Sequence, residues 1–244
     1  MSAVPASPFP VRSFCPHVRS FRYTNLSIPP HTDGTYYEDV PGLQIFHCIS
    51  GSYNGGLTSL IDGFAVAERM RVRHADAFAV LCNVRLPFRY IGDGYHLANR
   101  THVFTLDHTG RVLQFRYNNC DRAPLDSATL VPASQTAAPP VADAITYERV
   151  YDALHQLHQL LDDTSMRVQF KLAPGKVPTA AALLSSSLCS SHRTLSQAIV
   201  INNRRVLHAR SQFSGSRRLC GAYVQQEEWI GRVRRLIDSA PHLQ

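Results

Sequence analysis

No stretch of this 244-residue chain reaches the ~18 consecutive apolar residues that a membrane-crossing helix needs, so nothing in it is expected to span a bilayer. Cys-x-x-Cys pairs and regular cysteine spacing are missing as well. Cys15, Cys48, Cys82, Cys120, Cys189 and Cys220 fall partly within apolar, strand-like runs, where a free thiol packs as a small hydrophobe. A reduced, intracellular protein is the expectation. Neither a basic helix nor an aromatic-plus-arginine repeat is present, so the net charge of +7 argues for anionic small substrates over nucleic acid. The N-terminal stretch before His31 has no acid; it carries Arg12, Arg19 and Arg22 among serines, a transit-peptide composition. Pro5, Pro8, Pro10, Pro29 and Pro30 oppose the amphipathic helix such peptides form. No secretory signal is visible. The expected location is mitochondrion or cytoplasm.

What the chain does hold is enough apolar sequence, 44%, for an independent core. Residues 1–22 read as unstructured. A strand is expected over 21–28, others at 43–49 and 57–61, with Gly51 to Gly56 as the turn between them. One helix is expected from Phe64 to about Val84, on apolar positions recurring at helical spacing. Strands follow at 86–91, 103–106 and 112–118. An Ala/Pro/Ser/Thr-rich loop or insertion fills 124–145, and Tyr147 to Leu161 is the clearest helix. Strands at 167–172, 199–201 and 205–208 lead to a Ser214-Gly215-Ser216 turn, a strand at 219–224 and a last helix from Glu227. Many strands with few helices point to a barrel or jelly roll with helical buttresses.

Two side chains carry chemistry on sight. His31 and Asp33, in PHTDGTYY, lie two apart in an extended polar segment and so point to one side. An imidazole and a carboxylate so placed are two ligands of a facial triad for non-haem Fe(II); the plain alternative is a surface-loop histidine. His208, at the end of VINNRRVLHAR, is the candidate third ligand. His74 and Asp76 repeat the spacing within a helical pattern, where residues two apart do not share a face, and read as solvated surface. His155 and His158 lie one turn apart without an acidic partner and read as helix-flank residues. Alternation places Arg217, Leu219, Gly221 and Tyr223 on one face of the strand after His208. Arg217 there offers a fork for a carboxylate, with Thr58 as a hydroxyl partner, or is an ordinary edge arginine.

These residues sit in segments that resemble the trimethyllysine and γ-butyrobetaine dioxygenases, Fe(II)- and 2-oxoglutarate-dependent enzymes of the TauD/TfdA-like group. The matching motifs are YTNLSIPPHTDGTYYEDVPGLQIFHC, GGLTSLIDGFAVAE, FRYNNCDRA, and VINNRRVLHAR with FSGSRRLCGAY. The resemblance implies a double-stranded β-helix over 23–244, mainly β with flanking helices. It implies iron on His31, Asp33 and His208, and 2-oxoglutarate on Arg217 and Thr58. Substrate contacts fall on Tyr23, Asn118, Asn119 and Tyr223, the tyrosines holding a quaternary ammonium by cation–π attraction. The implied reaction is C3 hydroxylation of N6,N6,N6-trimethyllysine, the first step of carnitine biosynthesis, with O2 as co-substrate and ascorbate as reductant. γ-Butyrobetaine hydroxylation is the alternative, and a non-catalytic remnant of the family is another. A homodimer is expected, with no nucleic-acid or membrane partner.

The chain departs from that pattern in three places. Little precedes Tyr23, so an N-terminal truncation is expected, with Ser20 where an acidic substrate contact belongs. Val177 to Gln197 interrupts the family's run from Pro-Gly turn to strand. Valine codons begin GT and a glutamine codon can end in AG, so a retained intron is expected there; a spliced message encoding the segment would contradict it. Ala209 replaces a usual glycine beside His208, with crowding of the iron site as the expected consequence.

Overall fold

The computed structural model describes residues 24–133, 135–174 and 198–239. The expected strand start at 21–23, Tyr23 itself, the 1–22 segment and Val177–Gln197 lie outside the described residues.

Two antiparallel sheets form the β part. One runs β1 (Ile28–His31), β10 (Val206–Arg210), β3 (Leu57–Asp62), β8 (Arg167–Lys171) in spatial order. The other runs β11 (Phe213–Val224), β2 (Leu43–Gly55), β9 (Ala198–Asn202). Cys48, Phe170, Leu172, Ile199 and Ile201, joined by Phe46, Leu60, Val206 and Leu219, fill the space between them, and both sheets contribute. This is the jelly-roll arrangement: two curled sheets closing on one apolar interior.

Strand alternation decides what enters that interior. On β10, Val206, His208 and Arg210 stand opposite Asp62, Leu60 and Thr58 of β3 and share their face. Leu207 and Ala209 point the other way, and Leu207 joins the core beneath the helices. Ala209 therefore does not crowd His208, correcting the expectation from sequence.

That second, larger core is built by α1 (Gly63–Arg73), α2 (Ala75–Asn83) and α3 (Tyr147–Asp162), with the hairpins β4–β5 (Leu86–Gly92, Tyr95–Thr101) and β6–β7 (Phe104–Leu106, Val112–Phe115). The single helix expected over 64–84 is two. His74 leaves helical geometry at φ −139°, ψ 56°, closing α1 through its N–H to Met70 O while its own carbonyl accepts from Phe78. Residues 77–83 are buried throughout, as a helix apolar on all sides requires. The 124–145 segment is irregular yet packed: Leu125, Leu130, Ala138 and Val141 rest on the core, and buried Ile145 is part of it. Gln135 donates to the carbonyls of Cys82 and Phe104.

Two expected turns are strand. Gly51 to Gly55 extends β2 and Ser214 to Ser216 extends β11, because each supplies the other's ladder partners, Gly215 opposite Tyr53 and Ser216 opposite Ser52. α4 (Gln226–Asp238) ends the described chain. No helix among the described residues is long and apolar enough to cross a membrane.

Asp62 ends β3 and caps α1, accepting from the N–H groups of Phe64 and Ala65 while pairing with Arg205. Partial burial works against its charge, but the Arg205 hydrogen bonds and charge outweigh that and hold the carboxyl below its ordinary value. A depressed folded-state pKa stabilises above the unfolded value and is lost as pH falls through the folded one. Asp62→Ala is therefore expected to cost about 1 kcal/mol at neutral pH. In urea unfolding the gap between variant and parent should close as pH drops below about 4.

Candidate metal centre

β1 and β10 pair so that His31 and His208 stand directly opposite, their ring centroids 4.1 Å apart. Beyond His31 the chain leaves the ladder and turns at Gly34, whose φ of +73° lies in the left-handed region. A Cβ there would come within 2.7 Å of the Tyr37 ring, so glycine is required twice over. Asp33 is delivered beside the two rings, facing the Nε2 atom of each. His31 Nε2 lies 3.3 Å and His208 Nε2 4.0 Å from Asp33 Oδ1. One ligating atom from each residue fits within 4.8 Å of the other two.

The state of these groups suits a divalent cation. His31 Nδ1 is 2.8 Å from the carbonyl oxygen of Pro29, which only accepts, so Nδ1 carries a proton. Nε2 is the nitrogen left to face Asp33 and to ligate a cation once it gives up its own proton. Burial alone would depress His31, but the hydrogen bond and charge of Asp33 raise it above 6.5. His208 is pushed down to about 3 by burial and by His31, against the pull of Asp33, so its imidazole is neutral. Asp33 is ionised: burial opposes its charge, and the two histidines and the Tyr223 hydroxyl outweigh burial. His208 Nδ1 is buried with no partner among the described residues. Two neutral-capable imidazoles and one carboxylate, converging within one cluster, are a donor set that fits iron.

Above this cluster, β2 presents Gln44, Phe46 and Cys48 inward. Gln44 donates to Asp33 Oδ2, and the Phe46 ring stands 5.1 Å from that of His208. From β11, the Tyr223 hydroxyl donates to Asp33 Oδ2 at 2.6 Å, while Arg217 and Leu219 share its face. Arg217 is flanked by the rings of Tyr53 (5.2 Å) and Phe213 (6.0 Å). Its Nε and Nη1 are buried without a partner among the described residues, a guanidinium held ready for an anion. Thr58 is buried on the interior face of β3, level with Arg210.

A family model described as taurine catabolism dioxygenase TauD, TfdA family, matches residues 15–178. The chain belongs to the TauD/TfdA family. Curated relatives include trimethyllysine dioxygenase of Meyerozyma guilliermondii, 30% identical over 88% of this chain and 46% of its own length. The mitochondrial trimethyllysine dioxygenases of Gallus gallus and Homo sapiens are 32% and 30% identical, again over 88% of this chain and 44% of theirs. The chain thus spans under half the length of these relatives. Among solved structures, a taurine dioxygenase from Burkholderia xenovorans superposes with a TM-score of 0.53 at 14% identity, covering 80% of this chain and 58% of that one. That likeness concerns the TauD/TfdA fold.

The structure brings His31, Asp33, His208 and Tyr223 together. Asn118 and Asn119 lie on the turn after β7, engaged within it: Asn118 with Asp121 and Cys120, Asn119 with Tyr117 and Arg122. That turn abuts the metal loop, since Thr32 N–H donates to Tyr117 O and the Thr35 hydroxyl to Asp121. His158, read from sequence as a helix-flank residue, instead bonds the buried Tyr117 hydroxyl at 2.8 Å. Asp76 is salt-bridged to Arg149. Sequence reasoning missed Gln44, Tyr53, Asn203 and Arg116. The last is buried and donates to the carbonyls of Thr35, Tyr37 and Glu38, bracing the loop beyond Asp33. Its signal was a charged residue between apolar neighbours in FRYNN.

Proposed function

We propose that the chain is an Fe(II)- and 2-oxoglutarate-dependent hydroxylase whose substrate is a quaternary ammonium amino acid, N6,N6,N6-trimethyllysine, hydroxylated at C3. The observation that carries this reading is the convergence of His31, Asp33 and His208 within 4.8 Å. The names of the relatives supply the substrate. The animal relatives' names also favour a mitochondrial location.

When bound, the iron supplies activation of O2 coupled to oxidation of 2-oxoglutarate to succinate and CO2. The residues do the rest. His31 and His208 would hold the iron through imidazole nitrogens and Asp33 through its carboxylate. Arg217 takes the distal carboxylate of 2-oxoglutarate in its unpartnered fork, with Thr58 adding a hydroxyl. Tyr53 and Phe213 cover the guanidinium and keep water from competing for it. Tyr223, with Tyr23, offers a π face to the trimethylammonium group, which cannot hydrogen-bond. Asn118 and Asn119 supply polar contacts from the neighbouring turn.

Purified protein supplied with Fe(II), 2-oxoglutarate, ascorbate and O2 is expected to release succinate in a trimethyllysine-dependent manner. Preference for γ-butyrobetaine would reassign the substrate within the same chemistry. A folded protein giving no substrate-dependent succinate with either would contradict the proposed activity.

A further inference from the structure

We infer that Asn203 is a positioning residue for the metal centre, which fixes Asp33 against the strand carrying His208. The inference rests on the metal-site reading above and deepens it.

His31 and His208 need no special device, because ladder register sets them face to face. Asp33 has no such register: β1 ends at His31 and the chain turns at Gly34. The missing ladder is supplied by one side chain. Asn203 Oδ1 accepts from the Asp33 N–H at 2.8 Å, and Asn203 Nδ2 donates to the Asp33 carbonyl at 3.0 Å. The amide thus meets both backbone groups of Asp33, as a neighbouring strand would. Its second Nδ2 hydrogen reaches the Pro41 carbonyl at 3.2 Å, and its backbone N–H donates to Gly42 O at 2.9 Å. One residue therefore holds both ends of the Asp33–Pro41 loop.

Its place in the fold gives these bonds their consequence. Asn203 lies on the turn that links β9 of one sheet to β10 of the other, the strand that carries His208. It is 1% exposed, so its bonds do not compete with water. Two ligands from distant parts of the chain are thereby referred to one buried turn and the strand that follows it. Asparagine is needed because one donor-plus-acceptor plane must face a backbone N–H and C=O together. Aspartate lacks the donors, and serine reaches only one group.

The neighbouring Asn202 provides the control. Its Oδ1 accepts from the Arg204 N–H at 2.9 Å, shaping the same turn, whereas it is the Asn203 side chain that bonds the Asp33–Pro41 loop. The test titrates Co(II) into the full chain and its variants, reading affinity and the ligand-field absorption spectrum beside urea unfolding. Asn203→Ala is expected to weaken Co(II) binding about 10- to 100-fold and alter the spectrum. Asn203→Ser, which keeps one hydrogen bond, should fall between it and the parent; it also serves if the alanine variant does not fold. Asn202→Ala should lose stability while binding Co(II) within about twofold of the parent, the scatter of a site left intact. Parent-like affinity and spectrum in a folded Asn203 variant overturns the inference, as does an equal loss in Asn202→Ala. A parent protein that binds no Co(II) overturns the metal reading itself, and the inference with it.

Discussion

Asp33→Ala is expected to lower Fe(II) affinity by more than the roughly 10- to 100-fold that loss of an outer-sphere partner costs. Among the described residues the carboxylate is the one anion of the cluster, lying 3.3 Å from His31 and 4.0 Å from His208. Without it two imidazoles face each other with no charge to offset the cation. The fold should pay as well, because Asp33 Oδ2 accepts from Tyr223 and from Gln44, a side chain that is 2% exposed. Leaving that buried amide unpaired costs about 1–3 kcal/mol. Asp33→Asn keeps the shape and most of the hydrogen bonding, so its stability should stay near that of the parent while metal affinity still collapses. Equilibrium dialysis under anaerobic conditions, paired with urea unfolding, separates the two effects.

Arg217→Met is expected to weaken 2-oxoglutarate binding by about 2–5 kcal/mol, roughly 30- to 5,000-fold, the range for truncating one partner of a buried charge pair. The sign of its effect on the apoprotein is the sharper part. Arg217 Nε and Nη1 are buried with no partner among the described residues, and burial depresses the guanidinium pKa. An ion left in that state is a cost that the rings of Tyr53 and Phe213 offset in part and that an anionic ligand would relieve further. A methionine of similar length removes the cost, so stability without ligand should hold or rise while ligand-induced stabilisation disappears. Thermal unfolding with and without 2-oxoglutarate reads both. A variant that is clearly less stable without ligand yet still stabilised by 2-oxoglutarate would place the carboxylate elsewhere.

The parts of this site that were legible in sequence are those set by local geometry. His31 and Asp33 announce themselves by residue type at a spacing of two in extended chain, and period-two alternation placed Arg217 and Tyr223 on one face. Their partner His208 was reachable because a strand carrying it follows a turn. What failed was wherever pairing with a distant segment overrode local preference. Gly51–Gly55 and Ser214–Ser216 have turn composition, yet the β2–β11 ladder holds both segments as strand and leaves the turn to Gly55–Gly56. The helix break at His74 has neither glycine nor proline to mark it. Gln44 and Asn203 were overlooked because their roles exist only after folding brings Asp33 to them; the trace they left was a polar side chain at an inward position of an apolar strand and at a buried turn. Ala209 was misjudged for a simpler reason, since adjacency in sequence to His208 places it on the opposite face.

The most direct test of one interior holding both iron and 2-oxoglutarate is an anaerobic titration of Fe(II) into the protein, followed by 2-oxoglutarate, monitored by visible absorption. The account predicts one Fe(II) per chain and a charge-transfer band that grows only when 2-oxoglutarate chelates the bound iron, with both lost in His208→Ala. Fe(II) binding of unchanged stoichiometry and affinity in that variant, or no band in a parent that binds Fe(II), would contradict it.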